Sequence, residues 1–303
     1  MIQLEQQGSH PAIQQPFSTG YAFPPRQLAL PAPATRPRVH AEVGRYRLRL
    51  AESVEDRDAA CRLRFKVFNI ELGKGLESSY ETGLDTDHFD LFCEHLLVED
   101  KLEENPSRRI VGTYRMQSGM TAAQNLGYYS EQEFEFAPYA PLRADILELG
   151  RASIDREHRT PEVLTLLWRG IAQYATCMGL RYLIGCSSLN STNAAEGWQM
   201  YRQLEHCRVS PEFETAPTAD YACPNEPLGA LAQSSPSGTE MEESEPAQIK
   251  VPKLLRTYLA IGARICAPPA WDREFGTIDF LTLLDLQAVT PSARNRFLAP
   301  LTQ

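Results

Sequence analysis

The stretch TPEVLTLLWRGIAQYATCMG, residues 160–179, leaves less conformational freedom than any other part of this chain. Thr160 suits a helix cap and Pro161 the first turn, apolar residues recur at Leu164, Leu167, Ile171, Ala175 and Met178, and Gly179 closes the run. Such a helix must bury one stripe. DILELGRASID (145–155) before it and RYLIGCSSL (181–189) after it read as strands. Upstream, RYRLRLA (45–51) alternates as a first strand, and SVEDRDAACRLRFKVFNIEL (53–72) begins with a serine cap and an acidic turn before running on as a helix. HLLVED (95–100) and RIVGTYRM (109–116) are strands joined by a polar turn, and with 145–155 they make an antiparallel meander. Downstream, TNAAEGWQMYRQLEH (192–206) and VPKLLRTYLAIGARI (251–265) are predicted helical, whereas the periodicity of FGTIDFLTLLDL (275–286) fits a strand or a helix. The order predicts an α/β (α+β) domain with a mixed sheet and helices on both sides.

The flanks differ from this body. Residues 1–44 hold seven prolines without lasting periodicity, which predicts a disordered leader, and residues 210–248, rich in Pro, Ser, Ala and acid, predict a flexible insertion in a domain spanning 45–303. A net charge of −9 argues against a general nucleic-acid binder. Seven scattered cysteines, never spaced C-x-x-C, suggest reduced thiols in a cytoplasm, with neither a disulfide frame nor a zinc site. No apolar run nears the roughly 18 residues of a membrane span, so the expectation is a cytoplasmic protein, at most peripheral at the inner membrane face.

The strand order is that of the acyltransferase superfamily whose best-known members acetylate amines from coenzyme A, the GNAT-like fold with a mixed, mostly antiparallel sheet. Order alone does not identify it. The stretches RLRFKVFNIELG, DTDHFDLFCEHLLVED, RIVGTYRM, ILELGRASID and VPKLLRTYLAIGARI carry a closer likeness. Through them the chain resembles the ornithine-lipid N-acyltransferases over roughly residues 45–207 and 250–298, a family that joins a 3-hydroxyacyl group from acyl carrier protein to the α-amine of ornithine. It is similar, more distantly, to the acyl-homoserine-lactone synthases through Arg64-x-x-Val67-Phe68, the aspartates of 85–90 and Glu148-x-x-Arg151.

That chemistry asks for particular groups. An ammonium must lose a proton before it attacks a thioester, which makes Glu148 the expected base; a backbone N–H at an irregularity of the same strand would meet the oxyanion, with Gly150 the candidate position. Glu148 and Arg151 are three apart and face opposite sides of a regular strand, so a bulge at Leu149–Gly150 is expected to turn Arg151 toward the site. A structural ion pair or an edge charge is the competing reading of both. ETGLDTDHFD (81–90) clusters acids that would attract a dibasic acceptor such as ornithine, or would simply face solvent; Asp85 and Asp87 fit the resemblance best. Arg64 would pair with one of them or receive the substrate carboxylate, and His95 belongs to the resembled motif. The D-x-D spacing lacks the glycine and distal glutamate of a calcium loop, and no metal is expected.

The turn DREHRTP has no glycine with which to wrap a pyrophosphate, so Arg156, His158 and Arg159 are expected to meet a phosphopantetheine phosphate or an acidic carrier protein, unless they form an ordinary basic loop. Ser187 and Ser188 are expected along the pantetheine arm, or as close packing. Cys93 beside His95 suggests a thiol nucleophile only weakly, since direct attack needs no acyl-enzyme. The expected donor is acyl-phosphopantetheine on acyl carrier protein, with no permanently bound cofactor. Competing readings are an N-acyl synthase with another amino acid or amine acceptor, and a non-catalytic acyl-sensing or membrane-associated module.

Overall fold

Strand Glu94–Asp100 is buried along its whole length because its two faces meet different helices. Leu96 and Val98 pack in a cluster with the helix Pro161–Met178, and Leu97 in a cluster with the helix Val54–Phe65. The computed structural model describes residues 36–224 and 248–299. Among these the strands are β1 His40–Val43, β2 Tyr46–Leu50, β3 Glu94–Asp100, β4 Ile110–Ser118, β5 Ile146–Ile154, β6 Tyr182–Leu189, β7 Arg264–Ile265, β8 Ala270–Asp272 and β9 Thr277–Asp285. The α-helices are α1 Val54–Phe65, α2 Ser79–Thr82, α3 Gly119–Gln124, α4 Pro161–Met178, α5 Ala194–Gln203, α6 Lys253–Ile261 and α7 Pro291–Ala293.

The sheet runs β1-β2-β3-β4-β5-β6-β9-β7, with β8 also paired to β9, and only β5 and β6 are parallel. It is the mixed, mostly antiparallel sheet expected from the sequence. α4 carries the expected caps: Thr160 accepts from Val163 N, and Gly179 adopts φ 68. Gly170 lets it lie close, since a Cβ there would sit 2.6 Å from Leu48. α1 runs on into a π-helical turn, Lys66–Glu71, of the kind often found beside functional sites. Residues 277–285 settle as a strand, and α6 ends at Gly262, short of the expected 265.

Two expected boundaries move. Residues 36–44, read as the end of a leader, are ordered: β1 pairs with β2, Val39 and Ala41 are buried, and Arg36 Nε donates to both oxygens of Glu94. Residues 210–224, read as the start of a flexible insertion, are stitched to the body through Glu135 N to Ala216 O at 2.9 Å, Thr218 N to Glu133 O at 2.8 Å and Thr215 N to Cys266 O at 2.9 Å. Short tertiary pairings of this kind carry no periodicity. The remainder of both stretches, 1–35 and 225–247, lies outside the described residues.

The break in the sheet positions the site. β5 and β6 pair only at Ile146, Leu147 and Glu148, opposite Tyr182, Leu183 and Ile184. At the next step a Cβ on Gly185 would lie 2.2 Å from Leu149 O, an approach only glycine permits. Beyond that contact the two strands are no longer paired to each other.

Candidate active site

A cavity of about 280 Å³ lies where β5 and β6 part. Its wall includes Glu148, Gly150, Arg151, Ser187 and Ser188, the π turn through Val67 and Phe68, α6 through Leu254 and Tyr258, and the polar groups Arg115, Gln117 and Ser130. β5 carries one extra residue here, because Thr113 pairs with Ser153 while Arg115 pairs with Gly150. The irregularity falls at Arg151–Ala152, not at the expected Leu149–Gly150. Arg151 takes it up with φ 53, the one non-glycine positive φ among the described residues, and such strain is held only where neighbours over-determine it. Gly150 keeps a negative φ, and a Cβ on it would meet no atom within 4 Å.

Glu148 is 5% exposed and oriented by three neutral donors. Tyr129 N donates to Oε2 at 2.8 Å, and Ser130 N and Oγ both donate to Oε1 at 2.7 Å. Burial raises its pKa; the Ser130 and Tyr129 donors oppose that without cancelling it. Oε2 keeps room for one more proton donor. The group is thus a carboxylate held in one orientation, with a raised proton affinity, in a cavity wall.

The expected acceptor cluster is organised differently. Arg64 is completely buried, with Nε on Asp85 Oδ1 at 2.7 Å and its two terminal nitrogens on Asp90 at 2.7 and 2.9 Å. Arg115 donates to Asp87 at 2.5 Å and to Asp90 at 3.2 Å, and Arg151 donates to Asp87 at 2.8 Å. Three arginines therefore close on three aspartates. Arg64, Asp85, Asp87 and His95 do not line the cavity, so of the expected substrate contacts only Arg151 does. The reading of 85–90 as a free cation trap, and of Arg64 as a carboxylate receptor, fails because these charges neutralise one another. Burial pushes Asp87 upward, but Arg115 and Arg151 override it and hold the group down to about 2. His95 is pushed down to about 4 by burial, and neither ring nitrogen is hydrogen-bonded. The imidazole is neutral at pH 7. Burial raises the Cys93 thiol well above its usual range, which speaks against a nucleophile.

On the donor side the three basic residues separate. Arg159 pairs with Glu71 and donates to Ile154 O at 3.0 Å, and His158 Nδ1 lies 3.0 Å from the Tyr46 hydroxyl. Neither lines the cavity. Of these three, Arg156 is the exposed one for which no ion pair forms among the described residues.

A second acidic group went unread in the sequence. Asp272 and Asp279 line the cavity, and Glu133 lies behind them at 1% exposure, its oxygen close to Asp279 and the Cys186 sulfur, all three ligand atoms within 4.8 Å of one another. Neither oxygen of Glu133 is hydrogen-bonded. Burial, then Asp279 and Asp272, raise Glu133 well above the carboxylate range; burial and Asp272 push Asp279 up to about 6. A buried charge inside a strand was the signal that singled out Glu148. The same signal marks Arg115 in β4 and Asp279 in β9, whereas Ser130 and Glu133 sit in irregular backbone that leaves no pattern.

A fold of this order, open at a parallel pair and holding a buried carboxylate in the gap, defines an amine acyltransferase class, and residues 63–169 match the family model described as an acetyltransferase (GNAT) domain. The L-ornithine N(alpha)-acyltransferase of Brucella abortus (strain 2308) is 30% identical over 255 residues, 82% of this chain and 87% of that protein. The L-ornithine N(alpha)-acyltransferase of Rhodobacter capsulatus is 28% identical over 252 residues, 82% of this chain and 93% of that one. The chain belongs to the L-ornithine N(alpha)-acyltransferase family. The crystal structure of the AHL synthase LasI aligns with a TM-score of 0.47 at 12% identity, covering 85% of this chain and 98% of that chain.

Proposed function

We propose that this enzyme transfers a 3-hydroxyacyl group from the phosphopantetheine arm of acyl carrier protein to the α-amine of L-ornithine, giving lyso-ornithine lipid. The family supports the acceptor, and the oriented Glu148 carboxylate carries the mechanism. Glu148 takes a proton from the α-ammonium, directly or through water; the freed nitrogen attacks the thioester carbonyl, the new N–C bond forms, and the C–S bond breaks. The nitrogen of the tetrahedral intermediate gives up its surplus proton to solvent as the amide forms, and the leaving carrier thiolate is protonated by the acid that Glu148 has become. Past Glu148 the backbone of β5 is no longer bonded to β6, so its polar groups face the gap, and an N–H there is the proposed oxyanion donor. Arg151 lines the cavity as well as pairing with Asp85 and Asp87, which sets it apart from the enclosed Arg64, and its cavity-facing side is the proposed partner of the acceptor carboxylate. Val67, Phe68, Leu254 and Tyr258 offer the acyl chain an apolar wall.

The glycine-free turn at 155–160 favours a carrier protein over a nucleotide, with exposed Arg156 as its contact. Among the described residues no helix is long and apolar enough to cross a membrane. The test is lipid mass spectrometry of an ornithine-lipid-free host expressing this chain. A new 3-hydroxyacyl-ornithine amide is the expected product; another acylated amino acid would overturn the acceptor, and no new amide would overturn the function. In vitro, 3-hydroxyacyl carrier protein should exceed the matching coenzyme A thioester in kcat/KM, and equal use of both would overturn the donor.

A further inference from the structure

We infer that Glu133 and Asp279 form the receptor for the side-chain ammonium of the acceptor amino acid, and so select a dibasic acceptor over an apolar one. This rests on the proposed acylation of ornithine and assigns that substrate's second charge. Strand register places the groups. Ser188 pairs with Asp279, and Glu148 pairs with Ile184, so Glu148, Cys186 and Asp279 project from one face of the sheet. The segment carrying Ser130 and Glu133 covers that face. Thr218 N holds Glu133 O at 2.8 Å, which fixes the covering backbone in place.

Two observations point to a cationic ligand and not merely to a cluster of acids. Glu133 is 1% exposed with both carboxylate oxygens unbonded, and it faces Asp279, which lines the cavity. An unbonded buried carboxylate is costly, and an ammonium between the two carboxylates would satisfy both. No lysine or arginine forms an ion pair with Glu133, Asp272 or Asp279 among the described residues, although the neighbouring aspartates 85, 87 and 90 are fully matched by arginine. Successive contacts set an upper limit on the span that the acceptor must bridge. Cys186 Sγ is 3.5 Å from Ser130 Oγ, which is 2.7 Å from Glu148 Oε1, and the Cys186 sulfur lies within 4.8 Å of the Glu133 and Asp279 oxygens. The two nitrogens of extended ornithine are about 6 Å apart, and one hydrogen bond at each end covers the rest of that span.

The experiment compares L-ornithine with L-norvaline, which keeps the α-amine and the carbon chain but lacks the δ-amine, in the full-length wild type and in Glu133→Gln and Asp279→Asn. The ornithine-to-norvaline ratio of kcat/KM should fall roughly 100-fold in each variant, because a site built for a charged partner discriminates strongly. An unchanged ratio overturns the inference. A wild type that acylates no ornithine overturns the ornithine reading and the receptor with it, whereas ornithine turnover with unmoved ratios overturns the receptor alone. Should a variant fail to fold, thermal shift of the wild type decides: ornithine is expected to raise Tm more than norvaline at equal concentration, and equal shifts overturn the assignment. Glu133, Cys186 and Asp279 could also hold a divalent metal. Stoichiometric Zn²⁺ or Mn²⁺ retained by the wild type and lost in Glu133→Gln would overturn the ammonium receptor.

Discussion

Asp85, Asp87 and Asp90 meet three arginines, while Glu133, Asp272 and Asp279 meet none within ion-pair distance among the described residues. Asp87 and Asp90 are driven toward the charged state, whereas Glu133 and Asp279 are driven away from it. Burial opposes ionisation in each; Arg115 and Arg151 reverse that for Asp87, and nothing comparable does so for Glu133 or Asp279. The contrast separates architecture from recognition. A neutralised cluster holds the loop at 82–91 against β4 and β5, and an unneutralised one is left for a ligand to complete.

The largest effect expected comes from breaking the neutralised cluster. Arg64→Ala strands Asp85 and Asp90 without their main partner and should cost about 3–5 kcal/mol in urea unfolding. Near-wild-type stability would show that the other two arginines suffice. Glu148→Gln comes next and touches catalysis, with kcat expected to fall by roughly 10²–10⁴ at unchanged Tm. The deficit should shrink from pH 7 toward about 9.5, since free amine becomes available in bulk as the pH nears its own pKa. A loss of Tm with a pH-independent deficit would make Glu148 structural.

Titration of stability should then separate the two groups by sign. Asp87 has a depressed pKa, so its contribution is present above the ordinary carboxylate range and is lost as pH falls toward about 2. Asp279 has a raised one, so its contribution is lost as pH rises through about 6. Asp279→Asn should therefore raise Tm by a few degrees near pH 8 and by less near pH 5, and Asp87→Asn should lower it at both. The same sign for both variants at pH 8 would remove the contrast. The smallest expected effect lies at the rim: Arg156→Glu should raise KM for carrier protein a few-fold and spare kcat, while Arg159→Glu mainly loses its pairing to Glu71. An equal KM effect from both would mean that Arg159 leaves Glu71 to meet the carrier.

Much of the fold was legible because its elements signal locally. Thr160, Pro161 and Gly179 bound α4, and the alternating strands of the meander declare themselves by period. Glu148 was legible for a different reason, a charge where a buried strand should have none. The aspartates of 85–90 were equally visible, but their sequence could not show that arginines from α1, β4 and β5 converge on them. Ser130, Glu133 and the stitched segment 210–224 owe their positions to long-range backbone pairings and left no local trace. The bulge was expected two residues early, since glycine is the usual occupant of a positive φ and Arg151 takes it here against that preference.

The three-residue seam between β5 and β6 has a dynamic consequence. On one side lie β1 to β5 and on the other β6 to β9, two half-sheets joined edge to edge by that short parallel pairing and bridged by α4. Cooperative opening of such a sheet starts where fewest bonds must break together, which is this fault line and not the nine-residue strand β4, paired on both sides. Amide protons at the mouth of the seam are therefore expected to exchange with deuterated solvent ahead of those in β3 and β4, and the donor proposed to bind in the gap would slow that exchange by tying the halves together.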